Sequence, residues 1–457
     1  MRRAGGGSLP FPVLPRSSRS RTNGGAVRTS LNDWPAPMST PRGATGSTVV
    51  PRRTLVALGA TLFLAFFDAA ALLPTIAPRA AELGAGPFGV GLAVGIYSAT
   101  NLPANVLGGI LLDRVGRRRL TVLGFVLSAL AVLGYGLVTS VPLFVLVRAA
   151  HGVAGGMLVT SAFAVAGDRT RAGGAGRSFG RYGALIGMVW VIGPGTAAAL
   201  QASSGTSSVF GLVAGLLLLG ALVVLVGVRD VPRVAPALDP SSDPSAVLGP
   251  DGAPIDPSRA LRELSRRRPV QRALLATVVW LAAVGVLAAF LRDAVLAVGA
   301  SESLVGALFS AYAIVAALVM LSPLAGRVDE GRAEHAIVAG LACIGVALLA
   351  MTGADGLWQL GAASALFGAG YGLVFPAATG AISLAASTAT RGRAFGLFNA
   401  AFSLGLALGP PLAGALAAAV PALDPPFLPT GIVVLVTAAA IALTRGPSAR
   451  STEAAAR

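Results

Sequence analysis

Three ionisable side chains set in apolar sequence are the residues best suited to chemistry. Asp68 stands in the run LFLAFFDAAALLPTIAP, and Arg148 and His151 stand together in VRAAHGVAGG. A carboxylate inside such a run is costly to bury and marks a functional site by default; the bland alternative is a structural ion pair. Arg148 and His151 are three positions apart, so a helix puts them on similar faces. His151 changes charge near neutral pH and suits proton relay, against the alternative of a hydrogen-bonded structural histidine. Arg148 either faces a wet cavity or a partner, or snorkels to the membrane edge. Tyr97, Asn101 and Asn105 in one apolar segment and Asn399 in another fit a cavity lining or interhelical hydrogen bonds equally well, as do Trp190 and Tyr312.

Several enzyme and cofactor chemistries are excluded by what is missing. An intramembrane aspartyl hydrolase needs a second buried Asp, and a serine type needs a nucleophile beside His151; neither pattern occurs. The chain has no Lys, so it cannot form the Gly-x4-Gly-Lys phosphate loop. Its single cysteine, Cys343, rules out an internal disulfide and a cysteine zinc site. No metal, cofactor or catalytic residue is expected, and energy must come from an ion gradient or from the solute itself.

The elements that must position these groups are membrane helices. Apolar residues make up 54% of the 457, charged residues only 12%, and apolar stretches long enough to cross ~30 Å of hydrocarbon recur. We read twelve, over 54–76, 88–112, 119–139, 141–166, 180–201, 207–228, 272–292, 303–325, 335–352, 357–386, 394–419 and 427–444. Residues 1–50 form an Arg-rich, acid-poor segment expected to be a disordered cytoplasmic tail; the same composition is shared by organelle transit peptides. Residues 51–228 and 272–446 make two six-helix halves, 229–271 a Pro/Asp/Ser-rich flexible linker with a basic end suited to anionic headgroups, and 447–457 a short tail.

The net charge of +16 comes from 35 basic residues, all Arg. They invite a nucleic-acid reading, but they lie between spans, and 32 fall on the side that carries the N-terminus. The positive-inside rule makes that side cytoplasmic, with both termini inside. A multi-pass protein of the cell membrane follows, partnered by lipid and not by nucleic acid. In this frame Asp68 is ~21 Å above the cytoplasmic face and Arg148 ~10 Å below the outer one, hence at similar depth. We therefore expect a direct Asp68–Arg148 pair, with proton binding poised between the arginine's charge and desolvation.

The halves repeat. A shift of 216 residues superposes Arg177, Phe179 and Gly180 on Arg393, Phe395 and Gly396, Gly193-Pro194 on Gly409-Pro410, and Gly152 and Gly156 on Gly368 and Gly372. Duplicated six-helix units are common in secondary transporters, which bind substrate near the midplane between the repeats.

Between the second and third spans the chain reads Gly109-Ile-Leu-Leu-Asp113-Arg114-Val-Gly116-Arg117-Arg118-Arg119. This resembles the G-x-x-x-D-R-x-G-R-R signature of the major facilitator superfamily. Arg148-Ala-Ala-His151-Gly152 resembles the family's R-x-x-Q-G segment, with His151 where Gln is common. Gly193-Pro194 in span 5 and Gly405-x3-Gly409-Pro410 in span 11 resemble its antiporter segment, the better copy standing in span 11 and not in span 5. The resemblance implies an all-α fold of twelve helices in two pseudo-symmetric halves. It also implies a cytoplasmic latch at Gly109, Asp113, Arg114, Gly116, Arg117 and Arg118, and kinked helices at the Gly-Pro segments. The function it implies is alternating-access export of a hydrophobic or cationic small molecule in exchange for protons, by a monomer. The alternatives are a sugar or metabolite exporter or facilitator without proton coupling, and a membrane substrate sensor on a transporter fold.

The arginine asymmetry gives a direct test. In a Cys343→Ala background, single cysteines placed at Ser242 and Ser204 should respectively resist and accept an impermeant thiol reagent in intact cells. The reverse pattern overturns the orientation.

Overall fold

The computed structural model describes residues 52–170, 175–227, 247–248, 254–255, 257–322, 333–385 and 391–444. Six long helices come first: α1 (Arg52–Glu82), α2 (Pro87–Val115), α3 (Arg117–Leu137), α4 (Val141–Thr170), α5 (Ala175–Ser204) and α6 (Thr206–Gly227). A two-residue antiparallel pairing, Val247–Leu248 with Pro254–Ile255, and a short helix α7 (Pro257–Arg266) follow. Six more long helices complete the fold: α8 (Arg268–Ala297), α9 (Val305–Leu321), α10 (Ala333–Thr352), α11 (Leu357–Ala385), α12 (Arg391–Ala419) and α13 (Phe427–Leu443). Among the described residues, ten helices are long and apolar enough to cross a membrane, and α13, with 17 residues, is an apolar helix ~26 Å long.

The described residues thus form an all-α membrane bundle, and its packing is pseudo-two-fold. Within the first six helices, α2 packs on α4, α3 on α4 and α6, and α1 on α5. Within the last six, α9 packs on α11, α10 on α11 and α13, and α8 on α12. Between the sets, α2 meets α12 and α5 meets α9, again an exchange-symmetric pair. The internal repeat reappears at atomic level. A side chain on Gly152 would strike the Tyr97 carbonyl, and one on Gly368 would strike the Tyr312 carbonyl. Lacking a hydrophobic drive in lipid, membrane helices associate through such small-residue contacts.

Within the segment read as a linker, residues 257–266 are helical. Pro257 opens the helix, where its missing N–H costs nothing, and Leu264 is buried while Arg262, Glu263 and Arg266 face outward. A Leu anchor among charged residues is the pattern of a helix lying along a surface. The next span accordingly starts at Arg268 instead of residue 272.

Contacts between the two sets of helices are tightest at the face remote from the chain ends. Gly91 and Gly95, in the first turns of α2, lie against the backbone of Pro410 and Ala407 of α12, and Gly414 lies against Pro87. Gly306 of α9 rests on Pro194 and Ala198 of α5. Toward the other face, Gly109 of α2, Gly380 of α11 and Gly396 of α12 meet nothing within 4 Å. Among the described residues, the closest contacts between the two sets of helices thus lie at the face remote from the one where α1 begins.

Overpacking a close contact costs about 1–3 kcal/mol. Gly91→Leu should lower the melting temperature in detergent and abolish transport, because its side chain must displace Pro410. Gly215→Ala on α6, where space is open, should leave both unchanged; equal behaviour of the two variants would refute the seam.

Candidate functional site

The first half brings four buried polar side chains from three helices into one hydrogen-bonded chain. Asp68 of α1 accepts from His151 Nε2 of α4 at 3.0 Å through its Oδ2. His151 Nδ1 lies 2.7 Å from the Tyr135 hydroxyl of α3. Arg148 Nη1, one turn before His151 on α4, donates to that hydroxyl at 3.2 Å, and Arg148 Nε donates to the Ala93 carbonyl of α2 at 3.3 Å. Exposures are 2% for Asp68, 0% for His151 and Tyr135 and 8% for Arg148. Each member is shut away from both lipid and bulk water, so unpaired it would carry a large desolvation cost.

Aromatic rings close the remaining sides. The Arg148 guanidinium sits over the Tyr97 ring at 4.6 Å, a cation–π contact, and Tyr97 meets His151 edge-on at 5.2 Å. Phe144 and Phe210 pack on Tyr135 at 5.2 and 5.5 Å. Gly155 leaves the space that the Tyr97 hydroxyl fills. Beyond the chain, Arg79 of α1 donates to the carbonyls of Tyr135 and Val138 at 3.2 and 3.0 Å, placing a cation on the C-terminus of α3. Arg79 also pairs with Glu82, which accepts from Thr206 of α6. The end of α1 is thus tied to α3 and α6, which fixes where Tyr135 stands.

The expected direct Asp68–Arg148 pair is not formed. His151 takes the carboxylate, and among the described residues the hydrogen bonds connect Arg148 to it through Tyr135 and His151. The reason lies in helix geometry: Arg148 and His151 share a face one turn apart, and the turn at the depth of Asp68 carries the imidazole. Tyr135 was not among the residues singled out in sequence. Its signal was a hydroxyl in an otherwise apolar run, since a buried tyrosine O–H usually finds a partner.

The other candidates divide. Tyr97 joins the cluster. Asn101 donates to the Gly152 carbonyl at 3.2 Å, and Asn105 donates to Asn101 at 2.7 Å and accepts from Thr160 at 2.9 Å. The bonds to Gly152 and Thr160 are interhelical and hold α2 on α4, while the Asn105–Asn101 bond lies within α2 and links them. Asn399 on α12 is exposed, and no described bond joins it to the cluster. Of the latch residues, Gly109 and Asp113 lie toward the end of α2, Arg114 is in its last turn, and Gly116 breaks the chain between α2 and α3 at φ 92°. That conformation favours glycine. Arg117 begins α3, and Arg118 donates to the Leu225 carbonyl near the end of α6. The second-half counterpart, Gly326–Arg332, lies outside the described residues. Gly193 seats α5 on Ala70 of α1, and Gly405 and Gly409 seat α12 on α8; Pro194 and Pro410 fall inside unbroken helices.

The second half holds aromatic residues at the corresponding place. Gly193 packs on Ala70 and its repeat partner Gly409 on Ala282. Asp68 precedes Ala70 by two residues and Trp280 precedes Ala282 by two, so Trp280 stands where Asp68 does. Trp280 meets Tyr371 edge-on at 5.1 Å and Phe402 at 6.4 Å, and Tyr371 meets Tyr312 at 5.5 Å.

The profile of the Major Facilitator Superfamily matches residues 58–296 and 273–457. The chain belongs to the Major Facilitator Superfamily. Two curated relatives, multidrug resistance proteins 1 and 2 of Bacillus subtilis, are each 25% identical, over 180 and 140 residues. These stretches are 39% and 31% of this chain and only 46% and 35% of the relatives' own lengths. Among solved structures, a bacterial homologue of the human lysosomal transporter Spinster, inward-facing and unoccupied, is 20% identical with a TM-score of 0.68, covering 87% of this chain and 97% of its own. A nucleoside transporter is 15% identical with a TM-score of 0.68, covering 85% and 99%. At such identity these superfamily structures share the fold. The chain is accordingly a multi-pass membrane transporter.

Removing one partner from a buried charge pair typically costs about 3–5 kcal/mol. Arg148→Ala should therefore destabilise this superfamily member strongly, and Asp68→Asn added to it should restore part of the loss. Arg148→Lys should fall between, because one ammonium cannot serve Tyr135 and Ala93 with a planar fork. Thermal unfolding in detergent checks all three; an undisturbed Arg148→Ala would show that the chain carries no stability.

Proposed function

We propose that the protein is a secondary active exporter that exchanges protons for a hydrophobic or cationic small molecule by alternating access. The observation that carries this reading is the buried chain from Asp68 to Arg148. A lone acid deep in a membrane helix is rare unless function requires it, and here it is neither exposed for snorkelling nor sealed by a direct arginine pair. Asp68 exchanges a proton, while Arg148 supplies the positive charge that lets the carboxylate stay ionised when the proton leaves. The arginine census supports cytoplasmic termini in the plasma membrane. With that orientation the closely packed seam between the two sets of helices lies at the outer face.

The substrate class is supported by the second half. Tyr371 and Phe402 are part-exposed and are backed by the buried rings of Trp280 and Tyr312, an aromatic and uncharged surface that suits flat apolar groups and organic cations. The multidrug resistance names of the two relatives agree with this class. In this reading the protein acts as a monomer without cofactor. The Asp113-bearing end of α2 latches the cytoplasmic faces in the outward-open state, Gly193-Pro194 and Gly409-Pro410 mark where α5 and α12 flex, and no residue performs covalent catalysis.

In proteoliposomes with an imposed pH gradient, Asp68→Asn should abolish proton-driven transport of a fluorescent organic cation while substrate binding persists, and Asp68→Glu should retain part of it. Wild-type gradient-driven transport by Asp68→Asn would remove Asp68 from coupling and leave the carboxylate as a structural ion pair.

A further inference from the structure

The hydrogen bonds of the buried chain can be assigned a direction. Arg148 is always charged and can only donate, so the Tyr135 oxygen accepts from Nη1. An ionised Asp68 can only accept, so His151 Nε2 carries a hydrogen and donates to Oδ2. A neutral imidazole then has a bare Nδ1, and the Tyr135 O–H, with no other partner among the described residues, donates to it. With Asp68 ionised and His151 neutral, each of these contacts is satisfied in one sense only: Arg148 to Tyr135, Tyr135 to His151, His151 to Asp68.

From this we infer that Tyr135 is a positioning residue that locks His151 in its neutral Nε2–H tautomer and thereby reserves protonation for Asp68. The inference rests on the proposed proton coupling for its role in transport, while the tautomer assignment follows from the geometry with Asp68 ionised and His151 neutral. An arriving proton has two places to go. On His151 Nδ1 it would meet the Tyr135 hydroxyl hydrogen, force that O–H to turn away and leave a buried donor without an acceptor, next to the Arg148 cation. On the Asp68 carboxylate it neutralises the acid and leaves every existing bond of the chain intact; the new O–H on the second oxygen has no described acceptor either, so what separates the two sites is that His151 would have to lose the Tyr135 hydrogen bond and carry its charge beside Arg148. The described charged and titratable groups facing this space are Asp68 from α1, Tyr97 from α2, Tyr135 from α3 and Arg148 from α4. Tyr97 offers His151 a ring edge, Arg79 is spent on backbone carbonyls and Glu82, and α6 contributes the Phe210 ring. None of them replaces the Tyr135 hydroxyl at Nδ1.

Tyr135→Phe keeps the ring packing and removes only the hydroxyl. Nδ1 then becomes free to take a proton, so the site gains a second base, and the pH at which it is half-protonated rises. The expected upward shift is about 0.5–1 pH unit, the worth of one hydrogen bond.

The sequence holds only two histidines, His151 and His335, and His335 is exposed near the start of α10. The full chain with His335→Gln, labelled with ¹⁵N-histidine in lipid nanodiscs, therefore shows the single imidazole of His151 by nuclear magnetic resonance. The wild-type ring should keep a protonated Nε2 and a bare Nδ1 over roughly pH 5–8, and Tyr135→Phe should let Nδ1 protonate within that window. An Nδ1–H tautomer in the wild type, or identical titration with and without the hydroxyl, overturns the inference. Transport supplies the second arm. Tyr135→Phe should move the pH midpoint of export upward, and the same change should do nothing in a His151→Gln background, which keeps a donor for Asp68 but no titratable nitrogen. A shift that persists in that background means Tyr135 acts otherwise than through His151. If export by the wild type ignores pH while the tautomer is as assigned, the proton-coupling reading fails and the tautomer lock survives.

Discussion

One carboxylate inside hydrocarbon constrains the first half of this protein. An ionised group there is tolerated only if its charge is answered and its lone pairs are bonded. The answer to Asp68 is distributed: a hydrogen from His151, a hydroxyl from Tyr135 that fixes the imidazole, and a cation from Arg148 at the other end. Because the helices of three different segments must meet for this, their spacing follows from it. The glycines that seat α4 on α2 bring Arg148 over the Tyr97 ring, and Arg79 on the end of α3 holds Tyr135 in reach. Small residues and buried charges are thus parts of one packing solution: the close approach makes the bonds possible, and the bonds make the close approach specific.

The second half shows what the same scaffold becomes without the charge. Trp280 occupies the place of Asp68, Phe367 matches His151 in the 216-residue register, and Tyr312 repeats the backbone contact of Tyr97. Where one half builds a polar chain, the other builds edge-to-face aromatic contacts, which contribute about 0.5–1.5 kcal/mol each beyond their burial. Duplication conserved the glycine seats and let the side chains between them diverge. A charge-bearing half and an aromatic half are a natural division between energy coupling and recognition, and this asymmetry is the physical basis for the substrate class proposed above.

Much of this was legible in the sequence, for reasons that differ from element to element. The twelve long helices follow from apolar run length, which lipid enforces without reference to tertiary structure. The repeat was visible because Gly193-Pro194 and Gly409-Pro410 are spaced as a duplicated unit, and Gly116 announced the turn it makes. Asp68, Arg148 and His151 were legible as a set, since each breaks an apolar run. Their partners were not. Depth arithmetic places residues along the membrane normal and says nothing about rotation around each helix, so it favoured Asp68–Arg148 over Asp68–His151. Tyr135 escaped because its hydroxyl matters only once α3 is known to face α4. Asn101 and Asn105 illustrate the converse: equally polar, they are used up in holding α2 to α4. The helix at 257–266 was hidden by its neighbours, for a Leu anchor among arginines is short beside the Pro- and Ser-rich segment before it.

The closed arrangement of the chain also bears on how a rocking transporter can sense protonation. If each half moves as a rigid body, bonds internal to the first half survive the motion, and the Asp68–His151–Tyr135–Arg148 order need not break in each cycle. What the proton changes is then net charge and not connectivity: the chain is neutral with Asp68 ionised against Arg148, and carries one uncompensated positive charge once Asp68 is neutralised. That excess charge, in a low-dielectric interior, penalises any state in which the first half is sealed from water and favours one in which it is wetted. A cationic solute placed between the halves would feel the same excess as repulsion. Proton and cation would then exclude one another through the field of Arg148, without a shared ligand and without a direct clash, which is a sufficient physical condition for exchange.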